Sequence, residues 1–105
     1  MEKPNMHVAG LELCKTLHEL SGWRGTYAWY MKFGGHLGKE MRWTLGTEAT
    51  GDFPAYDCGY LIRKLQPEIR LHPDYGYAER IACADNPEDE AAAICIGLIK
   101  GGYLT

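Results

Sequence analysis

Apolar side chains near the start of the chain recur at the spacing of an amphipathic helix. Between residues 7 and 20 they fall three or four positions apart, while polar and charged side chains collect on the other side. Gly22 follows, and glycine adopts the left-handed conformation that ends many helices without a steric clash. The pattern predicts a first helix over residues 7–20. Its apolar stripe consists of Val8, Leu11, Leu13, Cys14, Leu17 and Leu20.

The next two segments have the composition of β-strands. Residues 26–33 are rich in aromatic side chains, and residues 39–45 alternate strictly between polar and apolar ones. A glycine-rich stretch separates the two segments, as in a hairpin turn. Together they predict a β-hairpin.

A second helix is predicted over residues 54–65. An acidic side chain, Asp52, stands before its start, where the backbone N–H groups of a helix lack partners. One face carries an apolar stripe at helical spacing, formed by Cys58, Leu61, Ile62 and Leu65. Pro67 lacks a backbone N–H and is expected to prevent the helix from continuing.

The last third of the chain predicts a second hairpin and a third helix. Residues 68–72 alternate in polarity, residues 73–76 have turn chemistry, and residues 77–84 are expected to return as the partner strand. Asn86 then caps a helix over residues 87–100, which begins with a proline and several acidic side chains.

The predicted element order is α-ββ-α-ββ-α. This order indicates a single α+β domain over residues 1–105, with an antiparallel sheet of about four strands and helices packed on one face. A chain of 105 residues is long enough for one domain and too short for two independent cores. Hydrophobic residues make up 46% of it and charged residues 24%, as in folded globular proteins.

Charge and cysteine usage restrict the classes of partner. The formal net charge is −3, which disfavours general nucleic-acid binding through phosphate contacts. The start of the chain has no apolar signal region, and the longest apolar stretch, residues 91–99, is too short to cross a membrane. The four cysteines form no C-x-x-C pair, which favours reduced thiols. We therefore expect a cytoplasmic protein without membrane contact.

No motif in the chain predicts catalysis or a cofactor. Cys14 and His18 are four residues apart on the first helix and share a face, but two ligands do not make a zinc site. The favoured interpretation is that they occupy ordinary positions without metal. His72 beside Asp74 is the best local pair for acid–base chemistry, at a turn that explains both residues structurally. The expectation is a protein that is not an enzyme and holds no metal or other cofactor.

Aromatic residues are the feature that folding alone explains least. The chain has three Trp, seven Tyr and two Phe, and neighbouring aromatic residues on the first strand point to opposite faces of the sheet. If helices cover one face only, one aromatic set is exposed or meets a partner; the alternative is a core on both faces, covered by helices or the termini. Tyr and Trp are enriched at protein–protein hot spots. The predicted contact residues are Trp29, Tyr30, Trp43, Tyr75 and Tyr77.

Three stretches resemble a group of small uncharacterised proteins of tailed phages and prophages. They are residues 12–23, residues 54–65, and residues 84–91 with the helix that closes the chain. The group has no established activity, so the resemblance assigns no functional residues. It implies a phage-encoded accessory protein in a bacterial host cell. By analogy with that class, we expect a non-enzymatic protein that binds and modulates a host protein or complex, as anti-CRISPR and other anti-defence inhibitors do.

Two other classes of function remain open at this point. One is a structural or virion accessory protein that assembles into a homo-oligomer. The other is a zinc-binding protein or a small-molecule enzyme, for which Cys14 and His18 or His72 and Asp74 would be the starting residues.

Overall fold

The computed structural model describes residues 7–34, 41–46 and 52–104, and these residues form four α-helices, one 3₁₀ turn and three strands. The order confirms an α+β fold. The elements are α1 (Leu11–Ser21), β1 (Ala28–Gly34), β2 (Met41–Gly46), β3 (Phe53–Ala55), α2 (Cys58–Leu71), the 3₁₀ turn (Pro73–Tyr75), α3 (Tyr77–Cys83) and α4 (Pro87–Lys100).

The sheet is antiparallel, with strand order β2-β1-β3. The predicted first hairpin is confirmed: β1 pairs with β2 from Trp29 opposite Gly46 to Gly34 opposite Met41. The other side of β1 carries β3, where Trp29 lies opposite Pro54. Proline is compatible with an edge strand because it need not donate to a neighbouring strand. The described part of the chain thus contains three strands, whereas the sequence predicted about four.

The chain before α1 is extended, so the first helix starts later than predicted. Val8 forms a bridge with Asp57, and the Ala9 N–H donates to the Tyr56 carbonyl at 2.9 Å. Helix α1 begins after Gly10 and ends at Gly22, whose φ of 72° is the left-handed conformation expected there. The spacing of apolar residues had predicted a helix from residue 7. Backbone pairing with residues 56 and 57 instead keeps residues 8 and 9 extended.

The prediction that a helix begins at residue 54 is wrong. Residues 53–55 pair with β1, and α2 begins at Cys58. Asp57 caps it: its Oδ1 accepts a hydrogen bond from the Tyr60 N–H at 2.7 Å. An aspartate at this position satisfies one of the free N–H groups of the first turn, which fixes the helix start after the strand.

The predicted second hairpin is also wrong, because both of its segments are helical. Helix α2 continues through Pro67 to Leu71, and the segment expected as the last strand is α3. Proline inside a helix removes one backbone hydrogen bond. One face of α2 is nevertheless buried both before and after Pro67, through Leu61, Leu65 and Glu68. Packing of that face against α4 outweighs the local penalty.

One hydrophobic core joins the sheet to the helices. Helix α4 packs against α1, α2 and α3, and it matches the predicted range of residues 87–100. Asn86 stands at its N-cap position, although its side chain makes no capping hydrogen bond. The fully buried side chains at the centre include Cys14, Leu17, Tyr56, Leu61, Leu65 and Cys95.

Candidate functional site

Two of the predicted contact residues are buried. Trp29 is 3% exposed and Tyr30 is 6% exposed. The Tyr30 hydroxyl donates to the Ala9 carbonyl at 2.7 Å, while the guanidinium of Arg24 lies 4.8 Å from the centre of the Trp29 ring. Because neighbouring side chains on a strand point to opposite faces, both faces of the sheet are covered here. The expectation that these two residues lie on an exposed contact surface is therefore corrected.

Trp43 lies in β2, where its backbone pairs with Lys32. Its side chain falls outside the described part of the structure, so its contact role stays a prediction.

Tyr75 and Tyr77 lie together at the C-terminal end of α2. The 3₁₀ turn follows this helix, and Gly76, with a φ of 65°, reverses the chain into α3. Tyr75 is 58% exposed and stacks on His72, with ring centres 4.6 Å apart and planes 8° from parallel. The Tyr77 ring meets Tyr75 edge-on at 5.7 Å. The turn thus builds a small aromatic cluster at the surface.

A cavity of about 180 Å³ opens beside this cluster. We call it the tyrosine pocket. Its walls come from α2, the 3₁₀ turn, α3, α4 and the segment after α4. Its lining residues are Glu68, His72, Tyr75, Tyr77, Leu98 and Tyr103. The pocket therefore combines a carboxylate with three phenol rings.

Glu68 is the unusual member of this lining, because it is 8% exposed and carries a carboxylate. The nearest basic group is the imidazole of His72, whose Nε2 lies 3.7 Å from Glu68 Oε2. That distance exceeds a hydrogen bond, and histidine carries a positive charge only when protonated. Buried carboxylates are ordinarily paired. The pocket therefore holds an acidic group that pairs loosely with His72 and whose carboxylate oxygens still reach solvent.

A second, more open groove of about 280 Å³ adjoins the tyrosine pocket and shares Tyr77 and Leu98 with it. It runs between α3 and α4, where Gly97 has no atom within 4 Å of the position a Cβ would take. Arg80 lines this groove and pairs with Glu90 at 3.1 Å. The two cavities therefore lie side by side along α4, with Tyr77 and Leu98 between them.

Cys14 has the properties of a core residue, whereas His18 beside it on α1 is half-buried. Cys14 is fully buried, its thiol donates to the Ala9 carbonyl at 3.4 Å, and burial raises the pKa of that thiol to about 11. A metal-binding cysteine needs the thiolate, which burial disfavours. His18 packs edge-on against Phe53 with ring centres 6.3 Å apart. Within residues 7–34, 41–46 and 52–104, no three His, Cys, Asp or Glu side chains converge to hold a metal ion.

The predicted pair of His72 and Asp74 is replaced by other contacts. His72 stacks on Tyr75 and faces Glu68, while Asp74 is exposed on the 3₁₀ turn. Sequence reasoning missed Glu68 and Tyr103. The signal for Glu68 was its position four residues before His72, which places both on one helix face, but the strand interpretation of residues 68–72 concealed it.

No family, curated protein or solved structure matches this chain. In the described ranges, no helix has the length and apolar character needed to cross a bilayer.

Proposed function

We propose that this protein is a non-enzymatic binding protein that engages a protein partner through the tyrosine pocket and its rim. The observation that carries the proposal is the convergence of Tyr75, Tyr77 and Tyr103 around one cavity. Tyr75 and Tyr103 are 58% and 69% exposed, so both offer large areas to a partner. Isolated exposed apolar residues are normal on protein surfaces, whereas clustered tyrosines are typical of interface hot spots.

Tyrosine suits this role for two physical reasons. Its ring buries a large area while only two side-chain torsions have to be fixed, and its hydroxyl stays hydrogen-bonded at the edge of an interface. The stacked His72 ring supports Tyr75 before any partner arrives, which lowers the entropy lost on binding.

The resemblance to phage and prophage proteins supports a more specific form of the proposal. In this form the partner is a host protein or complex of the bacterial cytoplasm, and the protein acts as an anti-defence inhibitor of the anti-CRISPR type. This form rests on resemblance and analogy of class, while the binding surface rests on the pocket itself.

The test is a pull-down of the tagged chain from a bacterial lysate that contains active defence complexes. The variant Tyr75→Ala/Tyr103→Ala removes the exposed rim, and Tyr27→Ala serves as the matched control because Tyr27 is 73% exposed outside the pocket. We expect the wild type and Tyr27→Ala to retain one and the same host complex, identified by mass spectrometry, and the double variant to lose it.

Two results would contradict the proposal. One is retention of the complex by the double variant. The other is recovery of the tagged chain with only its own untagged copies, together with a defined oligomer in sedimentation that the double variant does not form. The second result would favour the self-assembling accessory protein.

A further inference from the structure

We infer that the tyrosine pocket is a receptor for the guanidinium group of an arginine side chain on the partner. This inference rests on the proposed function, because it names the chemistry that the same pocket recognises. Three properties of the pocket carry it: its size, its charge and the orientation of its aromatic rings.

The size of the pocket favours one side chain over a free cofactor. Its volume is about 180 Å³. Pockets for drug-sized ligands and cofactors measure roughly 300–1,000 Å³. The tyrosine pocket is therefore too small for most of them, yet it adjoins the groove between α3 and α4, which offers room for the chain that carries the side chain.

The charge of the pocket favours a cation. Glu68 brings a carboxylate into a largely buried position where its oxygens still reach solvent, and among the described side chains it pairs with His72 at 3.7 Å. An incoming cation would supply the hydrogen bonds that this spacing leaves unmade. Burial strengthens such a contact because the effective dielectric is lower than in water.

The aromatic rings favour guanidinium among the possible cations. Tyr75 and Tyr77 stand nearly perpendicular, at 82°, and Tyr103 lines the same cavity from the chain segment after α4. A planar guanidinium can stack on one ring while its N–H groups reach a carboxylate in the same plane. An ammonium group is compact and strongly hydrated, so it gains less from such a slot.

The arrangement within the protein already imitates this contact. The planar imidazole ring of His72 stacks on the Tyr75 ring, with the two planes 8° from parallel. Its Nε2 faces the Glu68 carboxylate. A guanidinium bound in the pocket would make the same two kinds of contact with a permanent positive charge and a larger set of donors.

The experiment uses Nα-acetyl-arginine amide as the probe and follows the protein by NMR. We expect saturable shifts of the ring resonances of Tyr75, Tyr77 and Tyr103, with Glu68→Gln weakening the fitted Kd by at least about tenfold. Glu19→Gln is the matched control, because Glu19 is exposed on α1 and does not line the pocket. We expect this control to bind like the wild type.

Two further probes decide the chemistry. Nα-acetyl-citrulline amide has nearly the same shape without the charge, and Nα-acetyl-lysine amide has the charge without the planar group. Binding of the citrulline probe as tightly as the arginine probe would overturn the role of Glu68, and equal binding of the lysine probe would overturn the guanidinium assignment. Absence of saturable shifts with the arginine probe would overturn the inference as a whole.

The inference and the proposed function fail in different ways. If Tyr75→Ala/Tyr103→Ala loses the captured complex while Glu68→Gln retains it, the interaction surface stands and arginine recognition is wrong. If the arginine probe binds but no partner depends on the tyrosines, the pocket chemistry stands and the proposed function is wrong. The amide spectrum of Glu68→Gln, compared with that of the wild type, shows whether the variant keeps its fold.

Discussion

Two buried tyrosines are held by hydrogen bonds to carbonyl groups far away in the chain. The Tyr30 hydroxyl donates to Ala9, and the Tyr56 hydroxyl donates to Trp23 at 2.6 Å. A buried phenol needs such a partner because an unmade hydrogen bond costs free energy in the core. The hydroxyl groups therefore connect the sheet and the β3–α2 junction to the segments on either side of α1.

Replacement of Tyr30 by Phe tests this contact. The change leaves the Ala9 carbonyl without its phenol donor, and we expect a loss of about 1 kcal/mol in the free energy of unfolding. Urea denaturation monitored by circular dichroism measures the loss. Tyr27→Phe is the control, because Tyr27 is 73% exposed and should change stability little. Equal stability of Tyr30→Phe and the wild type would show that the hydroxyl contributes nothing.

At the scale of elements, one carboxylate joins the starts of two helices. Asp89 lies in the first turn of α4, and its Oδ1 accepts a hydrogen bond from the N–H of Gly10 at 2.7 Å. Gly10 is the N-cap residue of α1 and has no side chain to cap the helix itself. The contact spans 79 residues of sequence and places the positive ends of both helix dipoles beside one negative charge.

We expect Asp89→Ala to cost about 1 kcal/mol of unfolding free energy, as is typical for loss of an N-terminal cap. Glu88→Ala is the matched control, because Glu88 lies in the same helical turn without a hydrogen bond to α1. The difference between the two variants in urea denaturation isolates the contact with Gly10 from the general effect of acidic residues on α4. If both variants lose the same free energy of unfolding, the hydrogen bond between Gly10 and Asp89 does not stabilise the protein.

Prediction of the elements succeeded where local signals were strong. Gly22 ends α1 in the left-handed conformation, and Pro87 followed by acidic residues starts α4. The prediction that α2 ends before Pro67 was wrong. The sequence shows the local cost of one missing hydrogen bond, but it does not show the stabilisation from burying the α2 face, which depends on the tertiary structure. Residues 77–83 are too few for periodicity to separate a strand from a helix.

For the whole molecule, buried thiols and phenols make stability depend on pH in the alkaline range. Burial raises the pKa of Cys14 from 9.0 to about 11, that of Cys95 from 9.0 to about 12, and that of Tyr30 from 10.0 to about 12. The folded protein therefore keeps these protons at pH values where the unfolded chain releases them. Release by the unfolded chain favours unfolding as the pH rises.

We expect the free energy of unfolding contributed by these groups to be intact below pH 9 and to fall between about pH 9 and pH 12, by up to roughly 1.4 kcal/mol per unit of pKa shift. Urea denaturation at a series of pH values measures the decline. Cys83→Ala is the control, because Cys83 is exposed and its removal should leave the slope unchanged. A stability that stays constant up to pH 11 would contradict the prediction.

The sequence by itself determined the α+β class, the first hairpin, the end of α1 and the full extent of α4. Each of these follows from signals that act over a few residues, such as glycine in a positive φ, proline at a first helical position and alternating polarity. Two of the predicted contact residues, Tyr75 and Tyr77, also lie at the pocket.

Only the tertiary structure decided which aromatic residues are buried and what surrounds Glu68. Trp29 and Tyr30 belong to the interior because the segments around α1 and β3 cover the sheet there, and β3 is a strand because β1 offers it an edge. The tyrosine pocket exists because α2 continues past Pro67 and because the chain after α4 brings Tyr103 to it. Burial and edge pairing depend on what lies opposite a residue in space, and the order of residues in a single chain does not specify that locally.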